Sequence, residues 1–249
     1  MLDILSVRGL TKQYPGFTLR NISFSLPKGR IMGLIGKNGA GKTTTLKSML
    51  NLVRPSSGNI EMFGHNFFEN EEKCKQSIGM VLGEIDFYKH KKLSSITAVT
   101  KRFYRDWDDN AYQKYLTAFS LDPEKRVKEL SSGMKVKFML ALALSHNAKL
   151  LILDEPTSGL DPVSRDDLLE LFRQLVKDGE RSILFSTHIT SDLEKCADDI
   201  TYIKDGKLLK SAEKSKFIES FQHLRESSED TALSLEEIMI RSERSSYDI

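Results

Sequence analysis

Short, continuously apolar runs alternate along the chain with stretches whose apolar residues recur at helical spacing. That pattern predicts an α/β domain with a largely parallel sheet, since parallel strands are covered on both faces and lose polar alternation. Ile31–Gly36 (IMGLIG) reads as a buried strand ending in a glycine-rich loop. A helix is expected from Lys42 to about Leu52, stopped before Pro55. Arg54–Gly64 reads as a turn and a short strand. Leu150–Pro156 (LLILDEP) and Ser182–His188 (SILFSTH) read as core strands. Between them Pro162 opens a helix, with Leu168, Leu171, Phe172, Leu175 and Val176 on one face. Ile200–Leu209 reads as a hairpin around Asp205-Gly206, a favoured tight-turn pair.

The middle of the chain changes character. From about Glu84 to Asn147 strand patterns are scarce, and aromatics mix with charges. A helical insert between halves of the α/β core follows. The expected organisation is one domain, with core segments 1–82 and 148–210, an insert 83–147 and a tail 211–249. The tail is polar up to Ala232–Ile240, which reads as a last amphipathic helix.

Composition adds limits rather than direction. With 37 basic and 35 acidic residues the formal net charge is +2, which gives no argument for a nucleic-acid partner. The two cysteines, Cys74 and Cys196, lie far apart and point to a reducing, cytosolic setting. The start of the chain lacks the apolar core of a signal peptide. The longest apolar run, Phe138–Leu144, falls well short of the roughly 20 residues of a membrane span.

Three pieces carry chemistry. Gly36–Thr43 (GKNGAGKT) fits the phosphate-binding P-loop pattern and stands where that pattern needs to stand, between a strand and a helix. Its glycines let backbone N–H groups face phosphate oxygens, and the helix N-terminus adds partial positive charge. Lys42 is suited to the β- and γ-phosphates and Thr43 to Mg²⁺. Asp154 ends a buried strand, where it can orient Mg²⁺ directly or through water. Glu155 follows as a candidate general base; alone, the acid pair would read equally as a capped strand end. His188 ends the next strand, and is either structural or a γ-phosphate contact.

Taken in order, the P-loop, LSSGM (Leu130–Met134), LLILDEP, SGLD (Ser158–Asp161) and STH (Ser186–His188) resemble the ATP-binding subunit of an ABC transporter over roughly Leu5–Leu209. The resemblance implies a P-loop core with an antiparallel β part and a helical subdomain. It implies an ATPase using ATP and Mg²⁺. By its motifs, Tyr14 would stack on adenine, and Asn38, Gly39, Ala40, Gly41, Lys42, Thr43 and Thr44 would hold the phosphates. Thr43 and Asp154 would serve the metal, Glu155 would be the catalytic base, and His188 the switch histidine. Ser158–Asp161 would touch a partner subunit.

Two positions depart from the family pattern. The usual glutamine after Ile78–Leu82 falls on Gly83, with Glu84 next and within reach of the metal or its water. The usual LSGGQ keeps Ser131 and Gly133 but carries Ser132 where a glycine is common.

In the family this signature helix caps a nucleotide held by a second ATP-binding subunit, identical or related. A partner copy is therefore expected, together with a separate transmembrane permease that would hold the chain at the inner face of the cell membrane. Phe87, Tyr88, Phe103, Tyr104 and Trp107 are either a docking surface for that permease or the insert's own core. Lys89–Lys92 (KHKK) is a solvated loop or a contact to acidic lipid or permease. The motif wording resembles the subgroup serving peptide, drug or lipid-like export. The alternatives are a non-transport ABC-type ATPase and a nucleotide-driven regulator of a membrane or ribosomal partner. Too few residues separate Lys42 from Asp154 for the long coiled coils of the chromosome-associated relatives.

Overall fold

The computed structural model describes residues 2–83, 88–225 and 231–244. Among them, ten strands join in the order β5-β4-β1-β2-β10-β9-β3-β8-β7-β6. One flank is antiparallel. It holds β1 (Asp3–Tyr14), β2 (Phe17–Pro27), β4 (Ser57–Met62) and the short β5 (His65–Asn66). The other flank is the expected parallel core: β3 (Ile31–Ile35), β6 (Ile78–Leu82), β7 (Leu150–Asp154), β8 (Ser182–Thr187) and β9 (Asp199–Lys204). β10 (Lys207–Glu213) closes a hairpin with β9 and meets β2 at one paired position, Lys207 with Arg20. The fold is α/β, as the alternation of runs predicts.

Every residue of β3 and β8 is buried, and β7 is buried from Leu150 to Leu153. This is why these strands carry no alternation. The β9–β10 turn is the one expected, with Asp205 and Gly206 both at positive φ.

Helix α1 (Lys42–Met49) starts where expected and ends about one turn early. Asn51 takes a left-handed conformation (φ 55°), and Leu52 N–H returns to the Lys47 carbonyl. That closing bond caps the helix before Pro55 acts. The short α2 (Glu71–Lys75) was not legible in the pattern.

Between Gly83 and Asn147 stand α3 (Leu93–Thr100), α4 (Asp109–Ala118) and α5 (Ser132–Ser145). They share a core of their own, in which Leu93, Tyr112, Leu116, Val127 and Phe138 are buried together. α6 (Pro162–Val176) is capped by Asp161, which accepts from the N–H groups of Val163 and Ser164, with Pro162 in its first turn. α7 (Thr190–Cys196) follows β8. The tail forms α8 (Lys214–Ser220) and α9 (Leu235–Arg244), and Phe217, Leu235 and Ile238 bury against the parallel core.

Candidate functional site

The phosphate loop is anchored by close packing behind it. A side chain at Gly36 would strike the Ile203 carbonyl, and one at Gly41 (φ 113°) would meet Leu19 and Phe17 at about 3 Å. Ala40 is buried; its N–H donates to the Lys37 carbonyl, and its carbonyl accepts from Gly206 N–H. Ala40 thus fixes the loop to the β9–β10 turn. Asn38 and Gly39 stay on the exposed rim.

A cavity of about 580 Å³ lies over the loop. Lys37, Asn38, Gly39, Gly41, Lys42, Thr43 and Thr44 line it from the loop side; Glu155, Ser158 and His188 line it from across. Residues read from separate motifs therefore share one space.

Their contacts form two chains. In the first, the buried Lys42 ammonium donates to the Gly36 carbonyl at 2.8 Å and lies 3.2 Å from Glu155 Oε1. The other oxygen, Glu155 Oε2, is 2.8 Å from His188 Nδ1. An ionised carboxylate only accepts, so Nδ1 carries the proton and Nε2 is left for another partner. In the second chain, Thr43 Oγ1 donates to Asp154 Oδ2 at 2.8 Å, and Ser186 Oγ donates to Asp154 Oδ1 at 2.6 Å. Ser186 Oγ also accepts from Glu155 N–H at 3.0 Å.

Glu155 sits at φ 50°, a left-handed conformation that L-residues adopt at a cost. Its N–H is held by both the carbonyl and the hydroxyl of Ser186. Those bonds oppose the strain and aim the side chain at Lys42 and His188.

Sequence reasoning missed Ser186. The signal was present: a hydroxyl at a fully buried position in an otherwise apolar strand needs a partner. It missed Phe17 as well. Tyr14 is 40% exposed at the end of β1, with Lys12 Nζ 5.1 Å from its ring centre, whereas Phe17, paired with it across the β1–β2 turn, lines the cavity. Glu84 and Phe87 lie outside the described residues.

Ser131 and Gly133 do not line the cavity over the loop. Ser131 caps α5, its Oγ accepting from Met134 N–H at 3.2 Å. Gly133 faces Leu160 and Ser164 at the start of α6. Ser132 has no positive φ, so a side chain there costs the backbone nothing. It lines a second cavity of about 240 Å³, with Gly83, Lys135, Asp154, Glu155 and Ser158.

Thr43 and Asp154 offer hard oxygen donors in contact, the donor type that Mg²⁺ takes. Among the described residues no cluster of three or more His, Cys, Asp or Glu could hold an ion unaided. Magnesium commonly completes such a site with water and nucleotide oxygens.

The family model described as ABC transporter matches residues 19–158. This chain belongs to the ABC transporter family. It is the ATP-binding subunit of such a transporter, an ATPase. It is 36% identical to the bacitracin transport ATP-binding protein BcrA of Bacillus licheniformis over 212 residues, 84% of this chain and 69% of that protein. It is 35% identical to the lantibiotic transport ATP-binding protein SrtF of Streptococcus pyogenes over 210 residues, 83% of this chain and 89% of that one. A solved structure titled as the ATP-binding subunit of an ABC transporter superposes with a TM-score of 0.81 at 27% identity, covering 95% of this chain and 98% of the other. ATP-binding domains of this family dimerise and pair with membrane permeases. No helix among the described residues is long and apolar enough to cross a membrane.

Proposed function

We propose that this chain powers a separately encoded permease exporting an antimicrobial peptide or a similar amphipathic cargo. It would do so as one half of a head-to-tail, ATP-closed dimer on the inner face of the cell membrane. The observation that carries the ATPase part is the pair of contact chains at the phosphate loop, Lys42 with Glu155 and His188, and Thr43 with Asp154 and Ser186.

Nucleotide phosphates entering the loop compete with Glu155 for the Lys42 ammonium. Transfer of Lys42 to the β- and γ-phosphates frees Glu155 to take a proton from the attacking water. His188 then holds Glu155 through Nδ1 and offers Nε2 toward the transferring phosphoryl group. Mg²⁺ at Thr43 and Asp154 would neutralise charge developing on the phosphate oxygens. The ring of Tyr14, joined by Phe17, would meet the adenine.

Closure by a second copy is supported by where the signature lies. Ser131 offers a capped helix start and stands apart from the chain's own phosphate cavity. A hydroxyl, free N–H groups and a helix dipole aimed outward suit another subunit's γ-phosphate.

Permease docking is supported by an apolar surface on the insert. Tyr88 and Val99 are more than half exposed, Phe103 is 70% exposed, and all three line a groove of about 460 Å³ with Ile96 and Tyr104 in its walls. Trp107, by contrast, packs on the insert core. The cargo class rests on the relatives named for bacitracin and lantibiotic transport.

The test is co-expression with multi-span membrane proteins, followed by affinity capture and peptide uptake into inverted vesicles. Capture of a membrane protein with ATP-dependent uptake of bacitracin-type peptides is expected. Capture of ribosomes or DNA instead would overturn the reading.

A further inference from the structure

The tail helix α9 reaches the phosphate loop. Glu243, near its end, is 7% exposed, and its carboxylate is held from two other elements. Oε2 lies 2.9 Å from Lys37 Nζ, and Oε1 accepts from the Tyr202 hydroxyl at 2.8 Å. Tyr202 is fully buried on β9; burial first, and the Glu243 carboxylate second, push its phenol pKa up, so the hydroxyl stays a donor. The neighbouring Ser242 carbonyl accepts from Lys204 Nζ at 2.7 Å, a further tie between α9 and β9.

Lys37 is the second residue of the P-loop motif, and its side chain is about half exposed. It lines two cavities. One is the space over the loop, shared with Lys42; the other, about 380 Å³, lies between the His188 loop and α9, with Glu243 in its wall. Both lysines of the loop therefore carry a carboxylate from elsewhere: Glu155 on Lys42 and Glu243 on Lys37.

We propose that Glu243 is a positioning residue for nucleotide binding, holding the Lys37 ammonium on the α9 side of the loop and away from the phosphates. A triphosphate offers Lys37 a second anion, so occupancy of the loop and the seating of α9 are coupled. Glu243 lies beyond the residues matched by the family model, so the clamp comes from outside that shared segment. The inference rests on the phosphate-loop reading of Lys42.

The experiment is a titration of the full chain with fluorescent ADP at low ionic strength. Glu243→Gln keeps the side-chain size and an acceptor for Tyr202 while removing the charge. Its Kd is expected to tighten about threefold or more, the scale of a partly exposed ion pair. The gain should vanish in a Lys37→Gln background and fade in high salt. Tyr202→Phe, which removes the hydrogen bond alone, should lower the melting temperature without tightening binding. An unchanged or weaker Kd in folded Glu243→Gln overturns the clamp, as does tightening that persists without Lys37. Lys42→Ala in the same assay must lose nucleotide; if it does not, the phosphate-loop reading has failed rather than the clamp alone. Should Glu243→Gln not fold, Glu243→Asp shortens the arm and is read by the same comparison.

Discussion

The Glu155 carboxylate lies 3.2 Å from the Lys42 ammonium. The residue proposed to activate water is thus paired with the residue proposed to hold phosphate. Glu155→Gln removes the base and weakens the competitor for Lys42 in one change. Turnover should fall about 100-fold or more, while MgATP binding holds or tightens. ATP-bound dimers should accumulate on size exclusion. Near-wild-type hydrolysis would remove Glu155 from the base role.

Ser186 bonds Asp154 and Glu155 together, so its effect should follow the metal. Ser186→Ala leaves one oxygen of Asp154 without its donor and frees the Glu155 N–H of a partner. Activity should drop about 10- to 100-fold, with a raised Mg²⁺ requirement, as for other residues that orient a metal ligand. A Mg²⁺ titration midpoint equal to wild type would assign Ser186 to strand packing alone.

Ser131→Arg separates binding from closure. The new side chain stands at the exposed start of α5, away from the chain's own phosphate cavity. Nucleotide affinity of the monomer should stay within about twofold, since surface changes away from such features seldom exceed about 0.5 kcal/mol. ATP-dependent dimerisation should disappear. Loss of monomer binding would mean that the helix serves its own site.

His146 gives the fold a pH dependence. It is buried at the end of α5, stacks on Tyr104 with ring centres 3.6 Å apart, and meets the Gln76 carbonyl at 3.1 Å. Burial pulls its pKa from 6.5 down to about 4. Above pH 6.5 neither the folded nor the unfolded ring is charged, so nothing is lost. As pH falls from 6.5 to about 4, only the unfolded chain takes the proton, and stability drops. The loss is on the order of 3 kcal/mol at most. His146→Phe keeps a stacking ring; it should be less stable at neutral pH, yet flat across that window in urea melts. An equal acid slope in both proteins would locate the sensitivity elsewhere.

The parallel core was readable because burial on both faces writes itself as unbroken apolar runs in β3, β7 and β8. The β1–β2 hairpin left no such mark. Its register shifts between Asp3 and Leu5, Val7 and Leu10, and Leu10 and Lys12, with Gly9 at positive φ, and each shift resets the period-two alternation. The motifs pointed to Lys42, Asp154 and Glu155 because local spacing marks such residues, and the structure brings them to one loop. Ser186, Phe17 and Glu243 meet the site through neighbours distant in sequence, and no local pattern names such neighbours.

One paired position, Lys207 with Arg20, is where the antiparallel and parallel flanks of the sheet meet among the described residues. Phe17 stands on one side of this seam and Lys42 on the other, at the same cavity. A nucleotide held as proposed would act as a stitch, its two ends gripped by separately laced cloths. Amide hydrogen exchange along β2 and β10 should slow on nucleotide addition more than exchange inside β8, which is already sewn on both edges.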